Sequence, residues 1–449
     1  MKSTSGLFLL FAGLSPLGAA DDPLTVHRLA HLASAPHLTT ITNDPRLRLT
    51  LRPPTVVMRG DGRQPFLFVS AQGTLFCQSQ VNARPFRTKG KVVYQYRIGS
   101  ALSRDGGATW TRWTHQENHD DVNIEGGAVQ CADGSIIFLD MFVVPGATPD
   151  HGVGELWRSR DDLHTLEGPA SPDFYLPHVK WDGSTDDTGK PEADAALHRS
   201  LIELPNGDLL TTLYTWFDGD TAPSGYLPSM MKTRVALIRS RDHGASWAYF
   251  STVAMDSGVG TEGFGEPVLV RVVRGPHTGR LLCLMRTGRE LYATHSDNEG
   301  ATWARPRPVV FPGVDIFAID QWAGLFAQPA APDYVPNDNL LGAMVDPDLI
   351  QMKSGVLVCG FGVRLPAKRY KENWRVPRNG NYLAFSFDGG DSWTHVVQYL
   401  SAAPTTQYMG VREVRPDVLY VVYDDSVWHM PGETMGFQLA VERTSSPGN

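Results

Sequence analysis

Ser103-Arg104-Asp105-Gly106-Gly107-Ala108-Thr109-Trp110 decides the fold, because the chain keeps returning to it. The same spacing recurs at Ser240-Arg241-Asp242-His243-Gly244-Ala245-Ser246-Trp247, Ser296-Asp297-Asn298-Glu299-Gly300-Ala301-Thr302-Trp303 and Ser386-Phe387-Asp388-Gly389-Gly390-Asp391-Ser392-Trp393. The third of these four carries Asn298 where the others carry Asp, and a worn further copy reads Ser159-Arg160-Asp161-Asp162. Serine and aspartate side chains can bond to turn backbone, glycine tolerates a positive φ, and tryptophan supplies an apolar anchor. The unit reads as a hairpin staple, so its carboxylates are scaffold and not catalysts.

Working outward, each staple is preceded by a strand, a turn and another strand. The copies begin at Arg52-Pro53-Pro54, Glu125-Gly126-Gly127, His198-Arg199-Ser200, Glu266-Pro267, Asp346-Pro347 and Tyr408-Met409. Turn signals follow at Asp133-Gly134, Asn206-Gly207, Ser354-Gly355 and Pro416-Asp417. Repetition at this scale means a propeller or a solenoid-like array, and a four-strand unit selects the propeller. The expectation is an all-β, six-bladed β-propeller of four-stranded antiparallel blades, one domain over residues 21–449.

In an up-and-down blade the first strand starts, and the second ends, on the same face near the axis. The staple, between strands three and four, falls on the other face. Arg52, Glu125, His198, Glu266, Asp346 and Tyr408 should therefore ring a central pocket, joined by Arg286, Arg364 and Asp140 from the ends of second strands. Tyr214-Thr215-Trp216-Phe217, ending another second strand, could stack on a sugar ring or pack between blades.

Composition narrows the partners. A formal charge of −8 carries no basic excess and argues against nucleic acid. Lys2, the apolar run Leu7 to Leu14 and Gly18-Ala19-Ala20 read as a signal peptide over residues 1–20, which predicts export to the periplasm or medium. No apolar stretch is long enough for a membrane span. Cys77, Cys131, Cys283 and Cys359 are too few for a disulfide scaffold and lack metal-ligand spacing. The cluster from His115 to Asp121 fits no standard metal motif, so neither metal nor cofactor is expected.

These residues together resemble the sialidase (neuraminidase) superfamily, in particular bacterial exo-sialidases with Asp-box repeats, over nearly the whole chain after the leader. The resemblance matches Arg52-Pro53-Pro54 to that family's Arg-Ile-Pro motif. It pairs Glu266 with Arg286, places a third arginine at Arg364 (with Arg369, Arg375 and Arg378 close by) and a nucleophile at Tyr408. It implies an exo-acting retaining glycosidase for terminal acidic sugars, sialic acid first. Three guanidiniums would hold the sugar carboxylate, and a neutral tyrosine activated by a glutamate would attack without charge repulsion. The partner would be an acidic glycan or glycoconjugate. One departure stands out. The family's acid is an aspartate near Cys77-Gln78-Ser79-Gln80-Val81-Asn82, where this chain has none, leaving Glu125, Asp140, Asp121 or His198 as proton donors. Other outcomes consistent with the residues are a hydrolase or lyase for a uronate, or a glycan-binding propeller without turnover.

Overall fold

A computed structural model describes residues 35–59, 62–82, 86–88, 91–93, 96–113, 122–185, 189–315, 343–365, 377–425 and 432–444. The signal-peptide segment, Asp121, Arg369 and Arg375 lie outside them. Every element among the described residues is a strand. No helix there is long and apolar enough to cross a membrane.

The strands form small antiparallel sheets in a propeller-like arrangement. Their first strands run Arg63–Val69, Gly127–Gln130, Ala195–Glu203, Gly265–Arg271, Ala343–Gln351 and Met409–Arg415. Successive first strands pack side by side from the second unit onward, and Met409–Arg415 packs back on Arg63–Val69. Inner strands are buried on both faces, so they read as unbroken apolar runs. Leu357–Arg364 is buried at all its positions, whereas the outer strand Ser246–Ala254 is largely part-exposed.

Between units lie separate apolar cores. Phe68, Phe76, Phe138 and Trp157 join the first and second; Leu284, Phe311, Phe361 and Trp393 join the fourth and fifth. Leu67, Leu75, Tyr420 and Val422 join the sixth back to the first. All four cysteines are buried and free.

The expectation of six like blades is corrected. Five units stand as separate four- or five-stranded sheets. The third, Ala195–Glu203 with Leu209–Thr215, Arg234–Ser240 and Ser246–Ala254, is built into a closed seven-stranded barrel. The cause is two segments, one inserted between Ile136–Leu139 and Leu156–Ser159 of the second unit and one that follows its last strand. Phe142–Pro145 pairs with the third unit's first strand (Phe142 opposite Ala196), and Asp173–Tyr175 runs parallel to its last (Asp173 opposite Ser246). Both segments satisfy edges that a plain blade leaves open.

The staple turns form as their residues require. Ser103 Oγ bonds Asp105 at 2.8 Å and accepts the Gly107 N–H at 2.8 Å, while Asp105 accepts the Thr109 N–H at 2.9 Å. Ser240/Asp242, Ser296/Asn298 and Ser386/Asp388 repeat the pattern, and so does the worn copy at Ser159/Asp161. In the first staple glycine is needed at the fifth position for contact as well as conformation, whereas the worn copy holds Leu163 there at φ +65°. Gly107 has φ +90°, and a Cβ there would sit 2.0 Å from the Tyr420 ring of the sixth unit.

Candidate functional site

The staple lies at the far end of each sheet from the candidate residues. Leu281 pairs with Ser296 at one end of the fourth sheet, and Gly265 pairs with Arg286 at the other. At this second end the first strands share an irregularity. Register shifts fall between Arg63 and Phe66, Leu197 and Leu201, Gly265 and Val268, and Val345 and Asp348. Within them Gln64, Arg199, Glu266 and Asp346 have φ between +40° and +51°, and Gln407, just before the sixth unit's first strand, has φ +62°. Each such residue costs on the order of 1–3 kcal/mol, and strain of this kind gathers where side chains are aimed at a task.

What the bulges aim is a buried network of charges. The Tyr408 hydroxyl donates a short hydrogen bond to Glu266 Oε1. The same oxygen takes Arg286 Nη1 at 2.6 Å, and Oε2 accepts the Asp346 N–H at 3.1 Å. Arg286 Nε reaches Glu262 at 2.6 Å. Arg364 lies over the Tyr408 ring, 5.5 Å from its centroid, and donates to Gln407 Oε1 at 3.2 Å and the Thr406 carbonyl at 2.8 Å. Below them Arg199 grips Asp346 through two bonds of 2.9 and 2.6 Å, and His198 Nε2 stands 3.5 Å from the same carboxylate.

Burial and neighbours set the protonation states. Burial would push Glu266 up, but Arg286, then His198, the Tyr408 hydrogen bond and Arg364 outweigh it and hold the group well below the ordinary carboxylate range. Burial, followed by the Glu266 charge, raises the Tyr408 hydroxyl well above 10 against the pull of Arg286 and Arg364. The pair is thus a neutral phenol donating to a carboxylate. Glu125 goes the other way: burial raises it to about 8, with Arg199 opposing and Asp346, Asp140 and Glu266 adding to the rise.

Of the residues proposed from sequence, Glu266, Arg286, Arg364, Tyr408, His198 and Asp346 are linked by these contacts. Glu125 belongs to the same charge neighbourhood, and its carbonyl accepts the Arg199 N–H at 2.7 Å. Asp140 follows the second unit's strand Ile136–Leu139, where its Oδ1 accepts the Phe142 N–H at 2.9 Å. Arg52 is corrected. It is exposed and follows Leu47–Leu51, the outermost strand of the sixth sheet, with its N–H on the Gln438 carbonyl. Gln438 in turn bonds Gly106 in the first staple, so Arg52 is tethered toward the opposite end.

The first inner strand begins instead at Arg63-Gln64-Pro65. Arg63 is fully buried. Its neighbour Gln64 donates its N–H to Asp424, which also binds Thr406 beside Arg364. Arg63-Gln64-Pro65 carries the same Arg-x-Pro spelling as Arg52-Pro53-Pro54.

Beside Glu266 and Arg286 opens a cavity of about 250 Å³, walled also by Glu192, Asp194, Tyr214, Trp216, Thr233 and Glu262. Tyr214 and Trp216 thus face it, while Phe217 packs in the core of the third unit. A broader cleft of about 560 Å³ lies beside the staples of the fourth and fifth sheets, but its Arg280 is already paired with Asp297 and Asp391. Among the described residues no group of three or more His, Cys, Asp or Glu is arranged to hold a metal ion.

No family model and no curated protein matches this chain. Solved structures do. A Dyadobacter fermentans protein of unknown function is 17% identical, covers 89% of this chain and 100% of its own, and superposes with a TM-score of 0.59. The Penicillium chrysogenum α-L-arabinanase, solved with arabinobiose, is 12% identical with coverage of 88% and 98% and a TM-score of 0.51. The NanB sialidase of Streptococcus pneumoniae stands at 11% identity, 89% and 71% coverage, and a TM-score of 0.44. At these identities the likeness is one of fold, and the chemistry has to come from the site itself.

Proposed function

We propose that this chain is an exported, retaining glycoside hydrolase that removes an acidic sugar, sialic acid first, from a glycan terminus. The observation that carries the reading is the Tyr408–Glu266 hydrogen bond, with Arg286 on the same carboxylate oxygen. Glu266, held ionised, is fit to accept the phenolic proton as Tyr408 attacks the anomeric carbon. A neutral nucleophile suits a sugar whose own carboxylate would repel an aspartate or glutamate. Arg286 and Arg364 flank Tyr408, which makes two guanidiniums for that carboxylate.

A reading without turnover, as a glycan-binding protein, is favoured by one feature. Where an acid is expected, Gln78 accepts the Ile124 N–H and Ser79 bonds Thr434, and neither can protonate a leaving group. Hydrolysis of a fluorogenic sialoside by the purified chain separates the two. Turnover is expected, with Tyr408→Phe lowering kcat at least about 10³-fold while thermal unfolding barely moves. Saturable sialoside binding with no turnover would establish the binding protein instead.

A further inference from the structure

Four carboxylates face the cavity beside Arg286: Glu192, Asp194, Glu262 and Glu266. Glu262 and Glu266 are both ion-paired to Arg286. Asp194 differs from them. Among the described residues it forms no ion pair, and the backbone N–H groups of Asp194 and Ala193 and the Lys190 charge are what favour its ionised form. It stands immediately before Ala195–Glu203, the first strand of the third unit, where Ala196 pairs with Tyr214. That register carries Asp194 to the wall shared by Tyr214, Trp216, Glu266 and Arg286.

We propose that Asp194 is the proton donor of this site, in place of the acid missing from residues 77–82. The proposal rests on the glycosidase reading above. In the first step the bond from the anomeric carbon to the leaving oxygen breaks as that oxygen takes the Asp194 proton. Tyr408 Oη bonds to the same carbon, and its proton passes to Glu266. In the second step water attacks that carbon, the Asp194 carboxylate takes the water proton, and the released Tyr408 oxygen recovers its proton from Glu266. The products are the free sugar and the alcohol, with Asp194, Tyr408 and Glu266 restored.

Two observations favour Asp194 over the other acids. Partial burial raises it above the ordinary aspartate range despite its backbone bonds and Lys190, and Glu192, Glu262 and Glu266 share its cavity. Glu125, raised by burial to about 8, is only 5% exposed and does not line the cavity that Asp194 faces. A proton donor has to reach the leaving oxygen as well as carry a proton.

The test compares two substrates of the full chain: 4-methylumbelliferyl sialoside, whose leaving group departs unaided, and sialyllactose, whose leaving group needs a proton. Asp194→Asn is expected to lower kcat/KM for sialyllactose by about 10³-fold and for the aryl sialoside by less than about 10-fold. The alkaline limb of the sialyllactose pH profile should vanish with it, and Asp194→Glu should restore part of the rate. Thermal unfolding of each variant checks the fold. An equal loss on both substrates, no loss on either, or the selective loss appearing in Glu125→Gln or Glu192→Gln instead, would overturn the assignment while the glycosidase reading stands. Wild-type protein inert toward both substrates would sink the reading itself and Asp194's role with it.

Discussion

The two ends of these sheets follow opposite rules. At the staple end one turn is used five times with the same bonds, down to the copy at Ser159/Asp161 whose sequence has worn away. At the other end a positive φ recurs from sheet to sheet, but the side chains it presents vary among glutamine (Gln64 and Gln407), Arg199, Glu266 and Asp346. The electrostatics of that end vary as well, with Glu266 held low by Arg286 beside carboxylates that burial lifts. Asp161 in its staple is pulled down to about 2, first by the Thr165 hydroxyl bond, whereas burial lifts Glu125 to about 8 and Asp424 to about 6. Identical residues at one end mark a stability role repeated from unit to unit. Varied residues on a repeated, strained backbone mark a division of labour.

Glutamate 125 offers the largest test of that contrast. Its folded-state value lies above the ordinary 4.5, so its own contribution to stability is full below about pH 4.5 and is lost as pH rises toward 8. Glu125→Gln cannot ionise and should gain on the wild type across that window, by up to a few kcal/mol, in denaturant melts taken from pH 4.5 to 9. A gap that stays constant with pH would remove the claim of a proton held at this end.

The staple end should answer to shape. Gly107→Ala should cost about 3 kcal/mol, because it adds a strained φ and a clash with Tyr420. Gly73→Ala, with φ +89° but nothing within 4 Å, should cost only about 1 kcal/mol. Urea unfolding of the two variants makes the comparison, and equal losses would show that conformation alone matters. Smaller still, Asp105→Ala should lose about 1 kcal/mol of stability without touching turnover. Smallest of all, Arg52→Ala should leave kcat/KM within about two-fold of the wild type, since Arg52 is tethered away from the cavity. A large loss there would restore the arginine that the structure moves aside.

This division explains what could be read from the sequence. Staples are legible because one bonding scheme demands the same few residue types each time. The strands that bring Glu266, Arg286, Asp346, Arg364 and Tyr408 together are legible because their apolar runs repeat. Arg52 is misleading because Arg-x-Pro looks alike wherever it falls. The inner strand starts eleven residues later, at Arg63, where Gln64-Pro65 echoes Glu266-Pro267 and Asp346-Pro347. A polar residue followed by proline at the bulge was the signal to follow. Asp194 had no such signal, for it belongs to the irregular approach to the third unit. Its position depends on pairings, such as Phe142 with Ala196, that no local pattern encodes.

The ring is closed by strands from distant parts of the chain. Leu47–Leu51 completes the sixth sheet against Thr434–Arg443, and Thr39–Thr42 edges the fifth against His395–Ser401. A ribosome must therefore deliver almost the entire polypeptide before either clasp can shut. Until then an early segment waits with its hydrogen-bonding edge uncovered, and the sheets it will finish have not been made. Long-range pairing of this kind slows folding. It also makes the open, unclasped ring the species most exposed to aggregation and to chaperones during synthesis.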